Sequence, residues 1–182
     1  MNLQLREKVI LVTNAADGIG ESIVHRLALE EAYPVVIGSN EEDNIKIIET
    51  LQAAGGYGIQ IVADITTETE RAVNKAIAHF GRIDGLVNNA DISLESASQD
   101  ALMTQYCLPW LKETKGSIVT IGQNDNDFLQ NWATELTNNG IRANTVELQQ
   151  NFCPPDELAN IVVFLLSKRL THTTGQRFRV GK

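Results

Sequence analysis

The strongest constraint on the fold is an alternation of short apolar runs with longer amphipathic stretches along the whole chain. Short runs rich in β-branched residues and bounded by Gly, Asn or Pro predict strands, whereas apolar residues spaced three and four apart predict helices. The predicted strands span residues 8–13, 34–38, 58–63, 85–88, 117–121, 141–146 and 177–180. The predicted helices span residues 18–31, 41–54, 67–80, 95–113, 127–138 and 155–168.

Strict strand–helix alternation predicts right-handed crossovers and a parallel sheet with helices on both faces. The strands are nearly continuous apolar runs, as expected for strands that are covered on both sides. The expected fold class is therefore α/β, a doubly wound parallel sheet of about seven strands in a three-layer αβα arrangement. No linker, repeat or low-complexity tract interrupts the 182 residues, so we expect residues 1–182 to form a single domain.

The amino-acid composition of the chain limits the kinds of partner that it can bind. Fifteen basic and 23 acidic residues leave a net charge of −8, which predicts no nucleic-acid partner and no binding to an anionic membrane surface. No apolar run is long enough to cross a bilayer. The two cysteines, Cys107 and Cys153, lack metal-ligand spacing, and so few thiols suit a reducing compartment. We therefore expect a cytoplasmic protein.

A glycine-bearing turn follows the first predicted strand. It reads TNAADGIG over residues 13–20 and runs directly into the first predicted helix. A turn of this kind can bind phosphate, because backbone N–H groups and the positive end of the helix both face the anion. Glycines let a pyrophosphate approach the backbone, although Gly18 and Gly20 would equally permit close packing of helix and strand. The position after the first strand of an alternating series favours the phosphate-binding interpretation.

These motifs resemble the short-chain dehydrogenase/reductase family, whose turn has the pattern TGxxxGxG. Further segments match that family in its own order over nearly the whole chain: DIT at 64–66, GRIDGLVNNA at 81–90, GSIV at 116–119, GIRAN at 140–144 and TGQ at 174–176. The resemblance implies a Rossmann-type fold and hydride transfer with NAD or NADP. The cofactor-binding positions that it implies here are Asn14, Asp17, Gly18, Ile19, Ser39, Asp64, Ile65, Asn89 and Ala90.

The chain departs from the family at its catalytic positions. Family members use an Asn–Ser–Tyr–Lys tetrad, with Tyr and Lys four residues apart on one helix. No Tyr-x-x-x-Lys occurs here, and the helical turns that would carry it are missing before Trp132. The expected Ser falls at about Gln123, and the expected Asn falls within residues 95–98, which read ESAS. The substrate loop after the sixth strand is largely absent. We therefore predict no inherited catalytic residue.

The cofactor positions are altered less. Asn14 replaces the first glycine of the turn; Asn tolerates the left-handed conformation, but we expect its side chain to crowd the adenosine side. Asp91 and Asp17 add negative charge near the nicotinamide ribose and the pyrophosphate. The ribose-binding acid would fall at Gly38 or Ser39. NAD(H) binding is thus expected to be weak or lost, and NADP is less favoured because no Lys or Arg occurs between Arg26 and Lys46.

Several of these residues also have structural interpretations. Ser39 is better explained as a helix N-cap than as a ribose ligand, and Asp64 suits adenine contact and turn capping equally. Asn88 and Asn89 fit a role in tying strand ends together. The run of Asn and Asp over residues 124–127 lacks the Gly and terminal Glu of a calcium loop, so we predict no metal site.

Three functions remain open. The first is a non-catalytic family member, a pseudoenzyme that keeps the fold and at most weak NAD(H) or adenine-nucleotide affinity. The second is an NAD(P)-dependent oxidoreductase with a rearranged acid, for which Asp91, Asp125 and Asp127 are candidates. The third is a scaffold or partner subunit. The family assembles through helices and a last strand that persist here at 95–113 and 178–180, so we expect a homodimer or other oligomer.

Overall fold

The computed structural model describes residues 2–16, 18–89, 96–122, 135–148 and 153–181. Its strands are β1 (Val9–Thr13), β2 (Tyr33–Gly38), β3 (Ile59–Val62), β4 (Gly85–Asn89), β5 (Ser117–Gly122), β6 (Arg142–Leu148) and β7 (Arg177–Val180). Its helices are α1 (Gly18–Leu29), α2 (Glu41–Ala53), α3 (Thr69–Phe80), α4 (Ser96–Thr114) and α5 (Pro155–Leu166). Residues 135–138 form a further helical turn.

All seven strands are parallel and lie in the order β3-β2-β1-β4-β5-β6-β7. This confirms the doubly wound α/β sheet that the alternation predicts. The chain leaves β1 toward β2 and β3 and then returns to place β4 on the other side of β1. The carboxyl ends of β1 and β4 therefore flank the switch point where ligands bind in open α/β sheets.

Helices cover both faces of the sheet, and β1 shows the division. Ile10 and Val12 belong to one core cluster, with side chains of α1, α2 and α5, whereas Val9 and Leu11 belong to a second cluster with α3 and α4. Successive strand residues point to opposite faces, so one apolar strand serves both cores. This arrangement confirms the predicted three layers.

Boundaries differ at α2 and α3. Ser39 is exposed and is not the N-cap of α2; that prediction is wrong, because Asn40 accepts hydrogen bonds from the N–H groups of Glu42 and Asp43. Helix α3 begins at Thr69, later than predicted, because Asp64 holds residues 64–67 in a turn. Of the predicted helix at 127–138, only residues 135–138 lie within the described residues.

Two buried charged groups hold the sheet together. The Asp84 carboxylate accepts from the Val9 N–H at 3.1 Å and from Arg82 at 2.6 and 2.8 Å, which joins β1 to the start of β4. The Arg142 guanidinium donates to the carbonyls of Leu165, Leu166 and Ser167 at 2.8–3.2 Å. It satisfies carbonyls that the last turn of α5 leaves without helical partners.

Candidate functional site

The glycine turn lies at the switch point, between β1 and the N-terminus of α1. The Ala15 N–H donates to the Ile37 carbonyl of β2 at 3.3 Å, and Gly18 opens α1 in an exposed position. A Cβ added at Gly18 would meet no atom within 4 Å, so the first turn of the helix faces open space. Ile19 is partly buried against the core beneath this turn. The geometry suits an anion at the helix N-terminus.

Asn14 and Asn89 join the turn to β4 through a reciprocal pair of hydrogen bonds. The Asn14 side-chain nitrogen donates to the Asn89 carbonyl at 3.0 Å, and the Asn89 side-chain nitrogen donates to the Asn14 carbonyl at 3.1 Å. Asn14 has φ of 46°, which confirms the expected left-handed turn. These bonds hold the Asn14 side chain toward β4, and its crowding of the adenosine side stays a prediction.

Asn44, which the sequence patterns missed, fills the space at the end of β2. It is fully buried, and its side-chain nitrogen donates to the Gly38 carbonyl at 3.0 Å. A Cβ at Gly38 would lie 2.6 Å from the Asn44 Oδ1. An acidic side chain at position 38 would therefore have to displace Asn44. Ser39 is exposed beside this position, followed by three acids in the first turn of α2.

Asp64 closes a turn at the end of β3. Its Oδ1 accepts from the Thr66 N–H at 2.8 Å and from the Thr66 hydroxyl at 2.6 Å. These hydrogen bonds lower the pKa of Asp64, so the carboxylate is ionised at neutral pH. Asp64 is exposed at the edge that holds Gly38, whereas Ile65 is buried in the core. The hydrogen bonds to Thr66 support the predicted turn-capping role of Asp64. Contact of the exposed carboxylate with adenine stays a prediction.

A buried polar cluster joins β4, β5 and α4 below the other side of the switch point. The Asn88 side-chain nitrogen lies 3.2 Å from the Thr104 hydroxyl and 3.5 Å from the Thr120 hydroxyl. Asp100 lies one helical turn before Thr104 on the same face of α4 and is 3% exposed. Its Oδ2 and the Asn88 Oδ1 have no hydrogen-bond partner within the described structure. Burial raises the pKa of Asp100 to about 7. The sequence patterns did not identify this acid.

The tyrosines of the chain lie away from the switch point. Tyr33 opens β2 at the amino-terminal edge of the sheet, where it contacts the rings of Tyr57 and Phe80. Tyr57 also lies 2.7 Å from His79 through its hydroxyl. Tyr106 is exposed on α4. The predicted cofactor residues Asp17 and Ala90, and the acids Asp91, Asp125 and Asp127, lie outside the described residues.

The part of the chain that the structure describes contains no group of three or more His, Cys, Asp or Glu side chains able to hold a metal ion. None of its helices combines the length and the apolar content needed to span a bilayer. Cys107 on α4 is fully buried in the core, and burial raises the pKa of its thiol.

Comparison with known proteins is consistent with this fold and site. Residues 8–126 match the model of the short chain dehydrogenase family. The 11-beta-hydroxysteroid dehydrogenase B of Sesamum indicum is 30% identical over 149 residues, which cover 70% of this chain but only 40% of that relative. The 3-oxoacyl-(acyl-carrier-protein) reductase FabG of Thermotoga maritima is 26% identical over 237 residues, 96% of each chain.

A solved structure gives the same result in three dimensions. The NADH-dependent reductase A1-R′, crystallised with NAD, superposes with a TM-score of 0.88 at 25% identity, covering 99% of this chain and 97% of that one. The seven-stranded sheet, the glycine turn at its switch point and the matched family model define a Rossmann-fold protein. This chain belongs to the short chain dehydrogenase family.

Proposed function

We propose that this chain is a non-catalytic dinucleotide-binding member of its family, with NAD(H) favoured over NADP(H). The observation that carries the proposal is the contrast at the switch point. An open helix N-terminus at Gly18 and the left-handed Asn14 support a phosphate-binding turn, whereas the sequence contains no Tyr-x-x-x-Lys. On this proposal the site binds a dinucleotide without the family's proton donor, and general acid–base catalysis needs such a donor within hydrogen-bond reach of substrate.

Alignment length supports a loss of catalytic segments. The alignment with the Thermotoga maritima reductase runs over 237 positions, more than the 182 residues of this chain. That relative therefore has segments inside the aligned range for which this chain has no residue. The missing turns before Trp132 and the shortened stretch after β6 are where the sequence patterns place such losses.

The residues present fit an adenine dinucleotide on the β1–β3 side. Gly18 leaves the N-terminus of α1 open for the pyrophosphate, and exposed Asp64 lies where the family holds adenine. Glu41, Glu42 and Asp43 in the first turn of α2 would repel a 2′-phosphate, which disfavours NADP(H). When bound, NAD(H) supplies a hydride; the residues described here would hold and orient it.

Calorimetric titration with NADH, NADPH, NAD and ADP tests the proposal. We expect NADH and ADP to bind and NADPH to bind at least about tenfold more weakly, a difference of about 1.4 kcal/mol. Gly18→Asp should weaken NADH at least about tenfold, because it places a carboxylate against the pyrophosphate. A Cβ at this position meets no atom within 4 Å, and an acid suits a helix N-terminus, so the fold should persist.

Ala78→Asp is the matched control, since it adds the same charge at an exposed position of α3 and should leave nucleotide binding unchanged. Absence of heat with all four nucleotides would reject dinucleotide binding. The scaffold or partner-subunit function would then remain. NADH oxidation with carbonyl substrates should stay at background. Sedimentation velocity would show whether the chain forms the expected homodimer or other oligomer.

Asp100 favours a second candidate, an oxidoreductase with a non-standard acid. It is a buried carboxyl whose pKa is raised to about 7, one helical turn before Thr104, whose hydroxyl bonds to Asn88 of β4. A pKa near the working pH suits a group that exchanges protons. This candidate requires NADH-dependent turnover that Asp100→Asn lowers at least about 100-fold while NADH affinity is kept. Turnover that is unaffected by Asp100→Asn would reject it.

A further inference from the structure

Tyr57 and His79 form a hydrogen-bonded pair at the amino-terminal edge of the sheet. Tyr57 lies in the loop between α2 and β3, and His79 lies in the last turn of α3. The Tyr57 hydroxyl oxygen is 2.7 Å from the His79 Nε2, and both residues are exposed. The glycine turn lies at the opposite, carboxyl-terminal edge of the sheet, so the interpretation of this pair does not depend on the proposed function.

Neighbouring aromatic rings orient the pair. The ring of Tyr33 meets that of Tyr57 edge-on, with centroids 5.2 Å apart. Phe80 lies edge-on to His79 at 4.6 Å and to Tyr57 at 6.1 Å. Aromatic rings attract one another at these separations and angles. The phenol and the imidazole are therefore held at hydrogen-bond distance although both reach the solvent.

Tyr57 is open to small molecules from the solvent. It is 47% exposed, the largest exposed fraction among the three tyrosines of the chain. A cavity of about 250 Å³ also borders Tyr57, beside the end of α1 and the loop before β3. Tyr33, Gly55 and Gly56 line the same cavity. A small reagent therefore has room to approach Tyr57.

The pair has the arrangement of a nucleophile and its base. A phenol is a weak nucleophile while it keeps its proton, and a base within hydrogen-bond reach activates such a group. An imidazole that carries its proton on Nδ1 accepts at Nε2, and imidazoles take up protons readily near neutral pH. His79 is thus positioned to remove the phenol proton as the Tyr57 oxygen attacks an electrophile. A hydrogen bond that only ties the loop to α3 would need no group able to take up a proton.

The charge at the cavity favours an uncharged electrophile. Arg6, Glu7 and Glu31 line the cavity, and the Arg6 Nε lies 3.8 Å from a Glu7 oxygen and 3.2 Å from a Glu31 oxygen. One guanidinium against two carboxylates leaves this wall negative. Phosphoryl transfer depends on cationic groups that stabilise the charge of the transferring phosphoryl group. Transfer of an uncharged acyl group does not require them.

We propose that Tyr57 is a modification site that accepts an acyl group from a small activated donor, such as a thioester or an acyl-imidazole, with His79 as its general base. The phenol oxygen attacks the acyl carbon and forms an ester bond, while the bond between that carbon and the leaving group breaks. The proton passes from the Tyr57 hydroxyl to the His79 Nε2 and then to the leaving group. The step transfers no electrons to or from a further reactant, so it needs no oxidant or reductant.

N-acetylimidazole is the probe, because it transfers an acetyl group to phenol oxygens. Mass spectrometry of peptides from the treated protein measures the rate of acetylation at Tyr57. We expect this rate to be at least about tenfold higher than that of N-acetyltyrosine amide in the same buffer. The reaction at Tyr57 should also be slower in deuterium oxide, because a general base moves the proton during the attack.

His79→Gln keeps a hydrogen-bonding side chain beside the phenol but removes the group that takes up the proton. Because position 79 is exposed, we expect the variant to fold, and its rate at Tyr57 should fall at least about tenfold with loss of the deuterium effect. His25→Gln is the matched control. It makes the same substitution on α1, where His25 pairs with Glu21, and should leave the rate at Tyr57 within about twofold.

The proposal is overturned if Tyr57 reacts no faster than N-acetyltyrosine amide, or if His79→Gln leaves the rate unchanged. A rate that falls in His79→Gln without any deuterium effect in the wild type would also overturn it, since His79 would then only position the phenol.

Discussion

The two sides of the sheet differ in how their polar groups are arranged at the proposed site. On the β1–β3 side, the glycine turn, the exposed Asp64 and the open helix N-terminus persist in a geometry suited to a nucleotide. On the β4–β7 side, the strands pair over their full lengths, and Asn88 has hydroxyl partners on α4 and β5. We propose that this side has lost the family's catalytic groups, since the sequence shows none of them near residues 95–98 and 123.

The comparison separates the requirements of the fold from those of chemistry. A parallel sheet needs apolar strands and covered faces, and both sides have these. Catalysis needs a few additional side chains that contribute little to packing. Their loss costs little stability, so a chain can lose them while the fold is retained.

The largest expected effect concerns Asp100, a buried acid on the eroded side. Below about pH 4 its carboxyl is protonated in both the folded and the unfolded chain. As the pH rises toward 7 the unfolded chain loses this proton first, because burial raises the folded-state pKa from 3.8 to about 7. The free energy of unfolding should therefore fall across this window by up to about 4 kcal/mol and level off above it.

Asp100→Asn removes the ionisable group in a side chain of the same shape. Urea unfolding at pH 5 and pH 8 should show the variant gaining stability relative to the wild type by about 2–3 kcal/mol at the higher pH. Asp156→Asn, at an exposed position in the first turn of α5, is the control for the change of charge. If Asp100→Asn gained the same free energy of unfolding at both pH values, the Asp100 carboxyl would be solvated in the folded chain. The two sides of the sheet would then not differ in buried charge.

The next effect concerns Arg142, which holds α5 against β6 on the same side. Arg142→Met removes the guanidinium donor from the carbonyls of residues 165–167. The Ser117 hydroxyl still donates to the Leu165 carbonyl and the Leu170 N–H to the Ser167 carbonyl, so we expect a loss of about 1–2 kcal/mol in the free energy of unfolding. A loss under about 0.5 kcal/mol would contradict the claim that the Arg142 hydrogen bonds hold α5 against β6. Arg169→Met, at an exposed arginine whose Nε donates to the Asn2 carbonyl, should cost at most that amount.

The sheet could be predicted because strands depend on local features of the sequence: the spacing of the apolar residues and the Gly, Asn or Pro residues that bound each run. Apolar runs such as residues 34–38 match β2 to within a residue, and Asn14 adopts the positive φ that a turn lacking its first glycine requires. The helix starts were less predictable. Ser39 and Asn40 are both good caps, and only the observed end of β2 at Gly38 selects Asn40.

The buried polar residues could not be predicted from sequence. Asp100 occurs in a stretch that also contains Ser and Gln, and an Asp in such surroundings is usually solvent-facing. Its burial depends on how α4 lies against β4 and β5. Asn44 follows three acids at the start of α2, and its contact with Gly38 exists only after the helix packs on β2. Asp100 is buried by contacts between segments that are distant along the chain. Asn44 acquires its role from a contact across the turn between β2 and α2.

The smallest effect tests whether the nucleotide side is obstructed by its altered turn. Asn14→Gly relieves a left-handed non-glycine residue but loses the hydrogen bond to the Asn89 carbonyl, so stability should change by less than about 1 kcal/mol. Because that bond holds the side chain toward β4, NADH and ADP affinities measured by calorimetry should change less than about threefold. A gain of tenfold or more for NADH alone would show that Asn14 hinders the nicotinamide half, and a similar gain for ADP would place the obstruction at the adenosine. Either result would show that the turn at Asn14 itself impairs nucleotide binding, so that the β1–β3 side is also altered in function.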